Sequence, residues 1–132
     1  MKVGFTFDLR DDYLKLGYSE EETAEFDRPS TIKAISSALK ANGYKVELIG
    51  NIRSLVSALA AGKRWDIVFN ICEGMHGISR ESQVPALLEA YNIPVVFSDA
   101  VTIALCHHKG LTKRFAQSIG VKTPNFFEIY ST

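Results

Sequence analysis

The sequence has few cysteines, no excess of charge of one sign and no long hydrophobic run. Only Cys72 and Cys106 are cysteines among the 132 residues, and their separation does not fit a zinc knuckle or a redox motif. Lysine plus arginine and aspartate plus glutamate each number 15, whereas nucleic-acid binders carry a basic excess. No apolar run approaches the length that spans a bilayer, and the amino-terminal MKVGFTF is unlike a signal peptide. We therefore expect a cytoplasmic protein with reduced thiols and no nucleic-acid or membrane partner.

Several motifs with known chemistry are also absent. The first apolar run and the residue after it contain Gly4-Phe5-Thr6-Phe7-Asp8, and no G-x-G-x-x-G fingerprint of dinucleotide-binding proteins follows. The sequence contains no Walker A loop, no H-E-x-x-H pair, no EF-hand loop and no G-x-S-x-G elbow. These enzyme classes are therefore disfavoured.

Short apolar runs alternate with helical patterns, which is typical of an α/β domain with a parallel sheet. The predicted strands are residues 2–7, 44–49, 66–71, 94–97 and 125–130. Helices are predicted from Pro29 to Asn42, from Ile52 to Gly62, over residues 81–91, after Asp99, and in the segment that ends at Gly120. Residues 8–24 are predicted to form a long loop with a short helical turn. The expected core-facing residues of two helices are Ile52, Leu55, Val56 and Leu59, and then Val84, Leu87, Leu88 and Tyr91.

The loop after the third strand is the strongest candidate for a ligand site, because ligands of parallel sheets lie beyond the carboxyl ends of the strands. Gly74 allows close approach of a ligand to the backbone. Glu73, His76, Arg80 and Glu81 offer both signs of charge, as a zwitterionic ligand such as an amino acid requires. A purely structural interpretation is equally open, since an acid in the first turn of the next helix complements the helix dipole.

Two other charged segments have simpler explanations. The loop after strand one is interpreted as a solvated acidic loop, and it holds Asp8, Arg10, Asp11 and Asp12, then Glu20, Glu21, Glu22 and Glu25. His107 and His108 are adjacent and cannot share a helix face, so no metal site is expected there. Lys109 and Lys113 lie four residues apart and either present two positive charges on one face or are solvated.

A series of motifs from strand three onward resembles the D-alanine–D-alanine ligase family of ATP-grasp enzymes. The motifs are DIVFN at 66–70, EG at 73–74, Gly77, RESQVPALLE at 80–89, NIP at 92–94, SD at 98–99, ALCHHKGLTK at 104–113 and GVKTP at 120–124. The resemblance implies a Rossmann-like, three-layer pre-ATP-grasp domain over residues 1–122, with a mostly parallel sheet and helices on both faces. Residues 123–132 would begin the ATP-grasp region.

The resemblance also implies a function. The chain would be the N-terminal substrate-binding domain of an ATP-dependent carboxylate–amine ligase of cell-wall (peptidoglycan) precursor synthesis, acting on D-alanine or a similar amino acid. ATP and Mg²⁺ would be cofactors of the full-length enzyme, and neither is expected for this chain alone. We expect the natural protein to continue past Thr132 and the 132-residue chain to be inactive, without catalytic residues or metal ligands of its own. Relatives are often dimers through this domain, so a homodimer is expected.

The resemblance further implies roles for individual residues. Glu25 or Asp27 is the nearest match to an acid that contacts the first amino acid in the family. Glu73-Gly74 stands where the family has His-Gly, and Lys109 matches a lysine that approaches the nucleotide phosphates. His108 stands where the family usually has an acid before this lysine. These departures bear on the substrate more than on the fold, and a different amino acid or carboxylate is an alternative to D-alanine. The predicted substrate-binding residues are Glu25, Asp27, Glu73, Gly74, His76, Arg80 and Glu81, and the predicted nucleotide-binding residue is Lys109.

Two functions from other classes are alternatives. A receiver domain of two-component signalling has a similar length and an acidic pair after strand one, here Asp11 and Asp12. It needs an aspartate at the end of strand three, where this sequence has Asn70. A stand-alone module that binds a small ligand or a protein without catalysis stays open.

Overall fold

A three-stranded parallel sheet forms the centre of the computed structural model, which describes residues 1–129. The strands are β1 (Lys2–Phe7), β2 (Lys45–Gly50) and β3 (Ile67–Ile71), in the order β2-β1-β3. Val3 of β1 pairs with Val46 of β2 and with Ile67 of β3. The predicted parallel α/β fold is thus confirmed, and each of these strands lies within one residue of its predicted bounds.

Within residues 1–129, six α-helices connect and flank the strands. They are α1 (Arg10–Lys15), α2 (Pro29–Ala41), α3 (Ile52–Ala60), α4 (Gln83–Ala90), α5 (Ala100–His107) and α6 (Lys109–Ser118), and a 3₁₀ turn at Arg80–Ser82 precedes α4. Local chemistry sets several of these starts. Pro29 occupies the first turn of α2, where its missing N–H needs no partner. The Asn51 side chain accepts hydrogen bonds from the first backbone N–H groups of α3, and Asp99 caps α5 by accepting from Thr102 N at 2.7 Å.

Residues on the two sheet faces meet different helices, because side chains alternate along a strand. On one face, Leu55 and Leu59 of α3 pack with Val68 of β3 and Leu88 of α4 in a buried cluster. Trp65 belongs to the same cluster and packs closely against β1. A Cβ on Gly4 would lie 2.9 Å from the Trp65 ring. The opposite face carries Phe5, Phe7 and Leu48, and a groove there is shared with Ile32 of α2. Helices therefore cover both faces.

Four local predictions differ from the structure. Residues 94–97 do not form a strand but a single parallel bridge between Val68 and Val95, since Pro94 has no N–H to donate and Phe97 has a φ of +80°. No strand occurs over residues 125–129, and Tyr130 lies outside the described residues. Val56 is 49% exposed, because the buried contact of α3 uses only one side of the predicted stripe. Tyr91 is 40% exposed, and the centroid of its ring lies 5.0 Å from the Cζ atom of Arg64.

None of the helices within residues 1–129 combines the length and the apolar character that crossing a membrane requires.

Candidate functional site

Asp8, which follows the last residue of β1, joins the loop after β1 to the loop after β3. It is 1% exposed. Its Oδ1 accepts a hydrogen bond from the Tyr13 hydroxyl at 2.6 Å, and its Oδ2 accepts one from the Gly74 backbone N–H at 2.9 Å. The interpretation of this segment as a solvated acidic loop is therefore wrong for Asp8. Hydrogen-bond donors from α1 and from the loop after β3 contact its carboxylate. These hydrogen bonds offset the free-energy cost of burying a polar group.

The loop after β3 turns back on itself at Gly74. The φ of Gly74 is +68°, and a Cβ at this position would lie 2.6 Å from the backbone carbonyl oxygen of Arg80. Only glycine tolerates both the left-handed backbone and the close approach. The turn thereby brings the carbonyl groups of Glu73 and Gly74 beside the side chain of Arg80.

Arg80 is the centre of the polar network at this loop. Its Nη1 donates to the carbonyl oxygens of Glu73 at 2.9 Å and Gly74 at 3.3 Å. Its Nη2 donates to Glu25 Oε2 at 2.6 Å. The carboxylates of Glu73 and Glu81 lie further away, at 3.6 and 3.9 Å. One guanidinium thus connects the segment before α2 with both ends of the loop after β3.

Glu73 has a carboxyl group that titrates near neutral pH. Burial, followed by repulsion from Glu81, raises the pKa of Glu73 to about 7, although the positive charge of Arg80 opposes the rise. The network therefore changes charge near pH 7.

His107 of α5 completes the network. Its Nδ1 is 3.0 Å from the carbonyl oxygen of Ile78, which can only accept, so Nδ1–H is the donor. Its Nε2 is 3.3 Å from Glu81 Oε1. Sequence reasoning missed a role for His107 because nothing in the sequence places α5 against Glu81.

An open cleft of about 750 Å³ lies next to this network. Its lining includes four of the predicted site residues, namely Glu25, Arg80, Glu81 and Lys109, and also His107 and Cys106. Residues that are up to 84 positions apart in sequence are thus brought to one place beyond the carboxyl ends of the strands. The lining offers carboxylates and cations together.

The other predicted site residues lie elsewhere. Glu73 and Gly74 stand behind Arg80 and contact it through their carbonyl groups. His76 belongs to a separate hollow of about 230 Å³, where its Nε2 is 3.3 Å from the Tyr18 hydroxyl. Asp27 is held beside β1, where its backbone N–H donates to the carbonyl of Asp8 at 3.0 Å. Burial, and then the charge of Asp8, raise the pKa of Asp27.

The carboxylates of the cleft do not fit a Mg²⁺ site. Glu25 and Glu81 of the cleft, and Glu73 behind it, all face the Arg80 guanidinium, so a cation of the protein already lies among these carboxylates. Across residues 1–129, no group of three histidine, cysteine, aspartate or glutamate side chains is arranged to hold a metal ion.

Asn70 has a structural role at the end of β3. Its Oδ1 accepts hydrogen bonds from Thr6 Oγ1 at 2.8 Å and from the Cys72 backbone N–H at 3.1 Å. A buried amide with these partners is not a phosphoryl acceptor. The receiver-domain alternative is therefore disfavoured.

Comparison with known proteins gives consistent relatives, although no protein-family model matches the chain. It is 34% identical over 92 residues to a D-alanine–D-alanine ligase of Xanthomonas axonopodis pv. citri, which covers 70% of this chain and 29% of the relative. It is 32% identical over 110 residues to D-alanine–D-alanine ligase B of Xanthomonas campestris pv. campestris, covering 83% of this chain and 33% of the relative. The chain thus spans about a third of the length of these curated relatives.

A solved structure supports the fold. The crystal structure of a D-alanine–D-alanine ligase from Bacillus anthracis superposes with a TM-score of 0.60 at 20% sequence identity. The superposition covers 95% of this chain and 37% of that one.

Proposed function

Because this chain is homologous to the N-terminal region of D-alanine–D-alanine ligases, we propose that it is the substrate-binding part of an ATP-dependent ligase that joins a carboxylate to an amine. Its substrate would be D-alanine or a similar amino acid, and its product a cell-wall precursor. The observation that carries the proposal is the cleft lined by Glu25, Arg80, Glu81 and Lys109. An amino acid carries one ammonium and one carboxylate, and this lining offers a partner for each.

The residues of this chain would bind and orient the amino acid. Glu25 and Glu81 supply carboxylates that attract an ammonium group, and the Arg80 guanidinium supplies a fixed fork of donors. Positioning of this kind contributes to rate by holding reacting groups in a productive geometry. We assign no catalytic residue to the chain, and the domain boundary that we propose lies at residue 122.

ATP would supply the phosphoryl group that activates the carboxylate. Of the described residues, Lys109 is the one that we propose to approach the nucleotide phosphates, because it lines the same cleft and its ammonium is a point charge suited to phosphate. The acids of the cleft are engaged with Arg80 and are not assigned to Mg²⁺. We also propose a homodimer, as in the resemblance described above.

The proposal is tested by reading the gene beyond codon 132 and assaying the protein that it encodes. If the frame continues, we expect the purified full-length protein to release phosphate from ATP and form a dipeptide when D-alanine or a related amino acid is present. We expect the 132-residue chain to form no dipeptide under the same conditions. A full-length protein that releases no phosphate with any amino acid would refute the proposal. A stop codon after Thr132 would favour a binding module without catalysis.

A further inference from the structure

The guanidinium of Arg80 has one end that is fixed and one end that faces the cleft. Nη1 is bound by two backbone carbonyl groups, those of Glu73 and Gly74. Asp8 in turn holds the Gly74 N–H, so these carbonyl groups are part of the rigid framework at the ends of the strands. The side chain of Arg80 is 20% exposed, and Nη2 is directed to the partner that stands at the cleft. Arg80 is therefore pre-organised before any ligand binds.

That partner, Glu25, is held far less firmly. Its side chain is 66% exposed, and it lies in a segment of turns before α2. An ion pair with a mostly exposed carboxylate is weak, because water and salt compete for both charges. A carboxylate that arrives from solution can therefore take the place of Glu25 at Nη2 with little loss.

We propose that Arg80 is the receptor for the carboxylate group of the ligand, and that Glu25 holds this position until the ligand displaces it. The inference rests on the proposed function only for the identity of the ligand as an amino acid. Arginine presents a planar fork of donors that matches a carboxylate. Glu25, once displaced, becomes available to the ammonium group of the same ligand.

The surrounding charges permit a carboxylate at this position. Lys109 lines the same cleft and adds a positive charge to it. Glu73, the remaining acid near Arg80, can be neutral at physiological pH, because its pKa is about 7. An incoming anion thus meets the cations Arg80 and Lys109, with Glu81 nearby and with a Glu73 carboxyl that can take up a proton.

The test is an NMR titration of the 132-residue chain with acetate and, in parallel, with acetamide as its neutral isostere. Acetate is expected to shift the Nε–H resonance of Arg80 and the backbone amides of Glu73 and Gly74, and acetamide is expected to leave them in place. The variant Glu25→Gln is expected to bind acetate about two- to fivefold more tightly, the factor that an exposed ion pair is worth. Glu21→Gln removes the same charge from an exposed position of the same segment and is expected to leave the affinity within about 1.5-fold.

Equal shifts with acetate and acetamide would overturn the inference. So would an equal effect of Glu25→Gln and Glu21→Gln on the affinity for acetate. The absence of an acetate-induced shift in both the unmodified chain and Glu25→Gln would overturn it as well. Because Glu25 is mostly exposed, Glu25→Gln does not endanger folding. Arg80→Lys gives a second measurement, and it is expected to abolish the acetate shifts while the Gly74 amide reports an intact loop.

Titration with D-alanine separates this inference from the proposed function. If acetate behaves as expected but D-alanine binds no more tightly than acetate, the amino-acid ligand is refuted and the assignment of Arg80 stands. If D-alanine shifts the cleft resonances equally in Arg80→Lys and in the unmodified chain, the assignment of Arg80 is refuted and the proposed function stands.

Discussion

Replacing Glu73 with glutamine is expected to stabilise the chain, but only at neutral and alkaline pH. The pKa of Glu73 is raised from 4.5 to about 7 in the folded chain, first by burial and then by the nearby Glu81. The folded state therefore holds a proton that the unfolded state has lost between these two values. The contribution of Glu73 to stability is complete below pH 4.5 and is lost as the pH rises through about 7. Above that range, the folded chain carries an unfavourable charge that glutamine lacks.

The size of the effect follows from the pKa and the exposure of the side chain. A rise from 4.5 to about 7 corresponds to at most about 3 kcal/mol. The Glu73 side chain is 36% exposed, so water screens part of its interactions and about 1 kcal/mol is a better expectation.

The assay is urea denaturation of the unmodified chain and of Glu73→Gln at about pH 4.5, 6 and 8, with Glu21→Gln as the control for removal of an exposed charge. We expect the unmodified chain and Glu73→Gln to be equally stable at the lowest pH. At the highest pH, we expect Glu73→Gln to be about 1 kcal/mol more stable than the unmodified chain. A gap of the same size and sign at all three pH values would refute the reasoning, because a pH-independent effect cannot arise from titration of Glu73.

Three further predictions concern the turn at Gly74, the two cysteines and the carboxylate of Glu47. Gly74→Ala is expected to lower the free energy of unfolding by about 2 to 4 kcal/mol in denaturant titrations. The reason is that the alanine Cβ would lie 2.6 Å from the backbone carbonyl oxygen of Arg80. A loss below about 0.5 kcal/mol would contradict the close approach. Exposed Cys106 is expected to react rapidly with a thiol reagent, whereas Cys72, which is buried and has a raised pKa, reacts only on unfolding; equal rates would contradict this. Hydrogen bonds, first of all from Lys63, lower the pKa of Glu47 to about 2, a stabilisation that is present above pH 4.5 and lost as the pH falls through about 2. Glu47→Gln should therefore cost about 1 kcal/mol at neutral pH and little near pH 2, and a cost that persists there would show a different cause.

The regular elements were largely predictable from local patterns. The apolar run of β1 and the Pro29 that opens α2 placed both elements correctly. Alternating strands and helices predicted the parallel sheet, which the structure confirms. Such signals are strong because they depend on residues that lie close together in the chain.

The errors arise where a contact between distant segments decides the outcome. Val56 and Tyr91 follow the spacing of their helices, but spacing alone does not tell how wide the covered stripe is. Asp8 stands among other acids in the sequence, and this composition predicts a solvated carboxylate. Its hydrogen-bond donor, the backbone N–H of Gly74, lies 66 residues away. The loop after β3 was identified by its position, but the central place of Arg80 required the turn at Gly74 to be seen. The role of each predicted site residue stays a prediction.

The central position of β1 has a consequence for synthesis of the chain. β1 is made first, yet both strands that pair with it come later, and Thr6 and its partner Asn70 are 64 residues apart. At about 5 to 20 residues per second, a ribosome needs roughly 3 to 13 s to cover that distance. During this interval the apolar segment KVGFTF has no sheet neighbour on one side. It is then the part of the nascent chain most in need of protection from premature association.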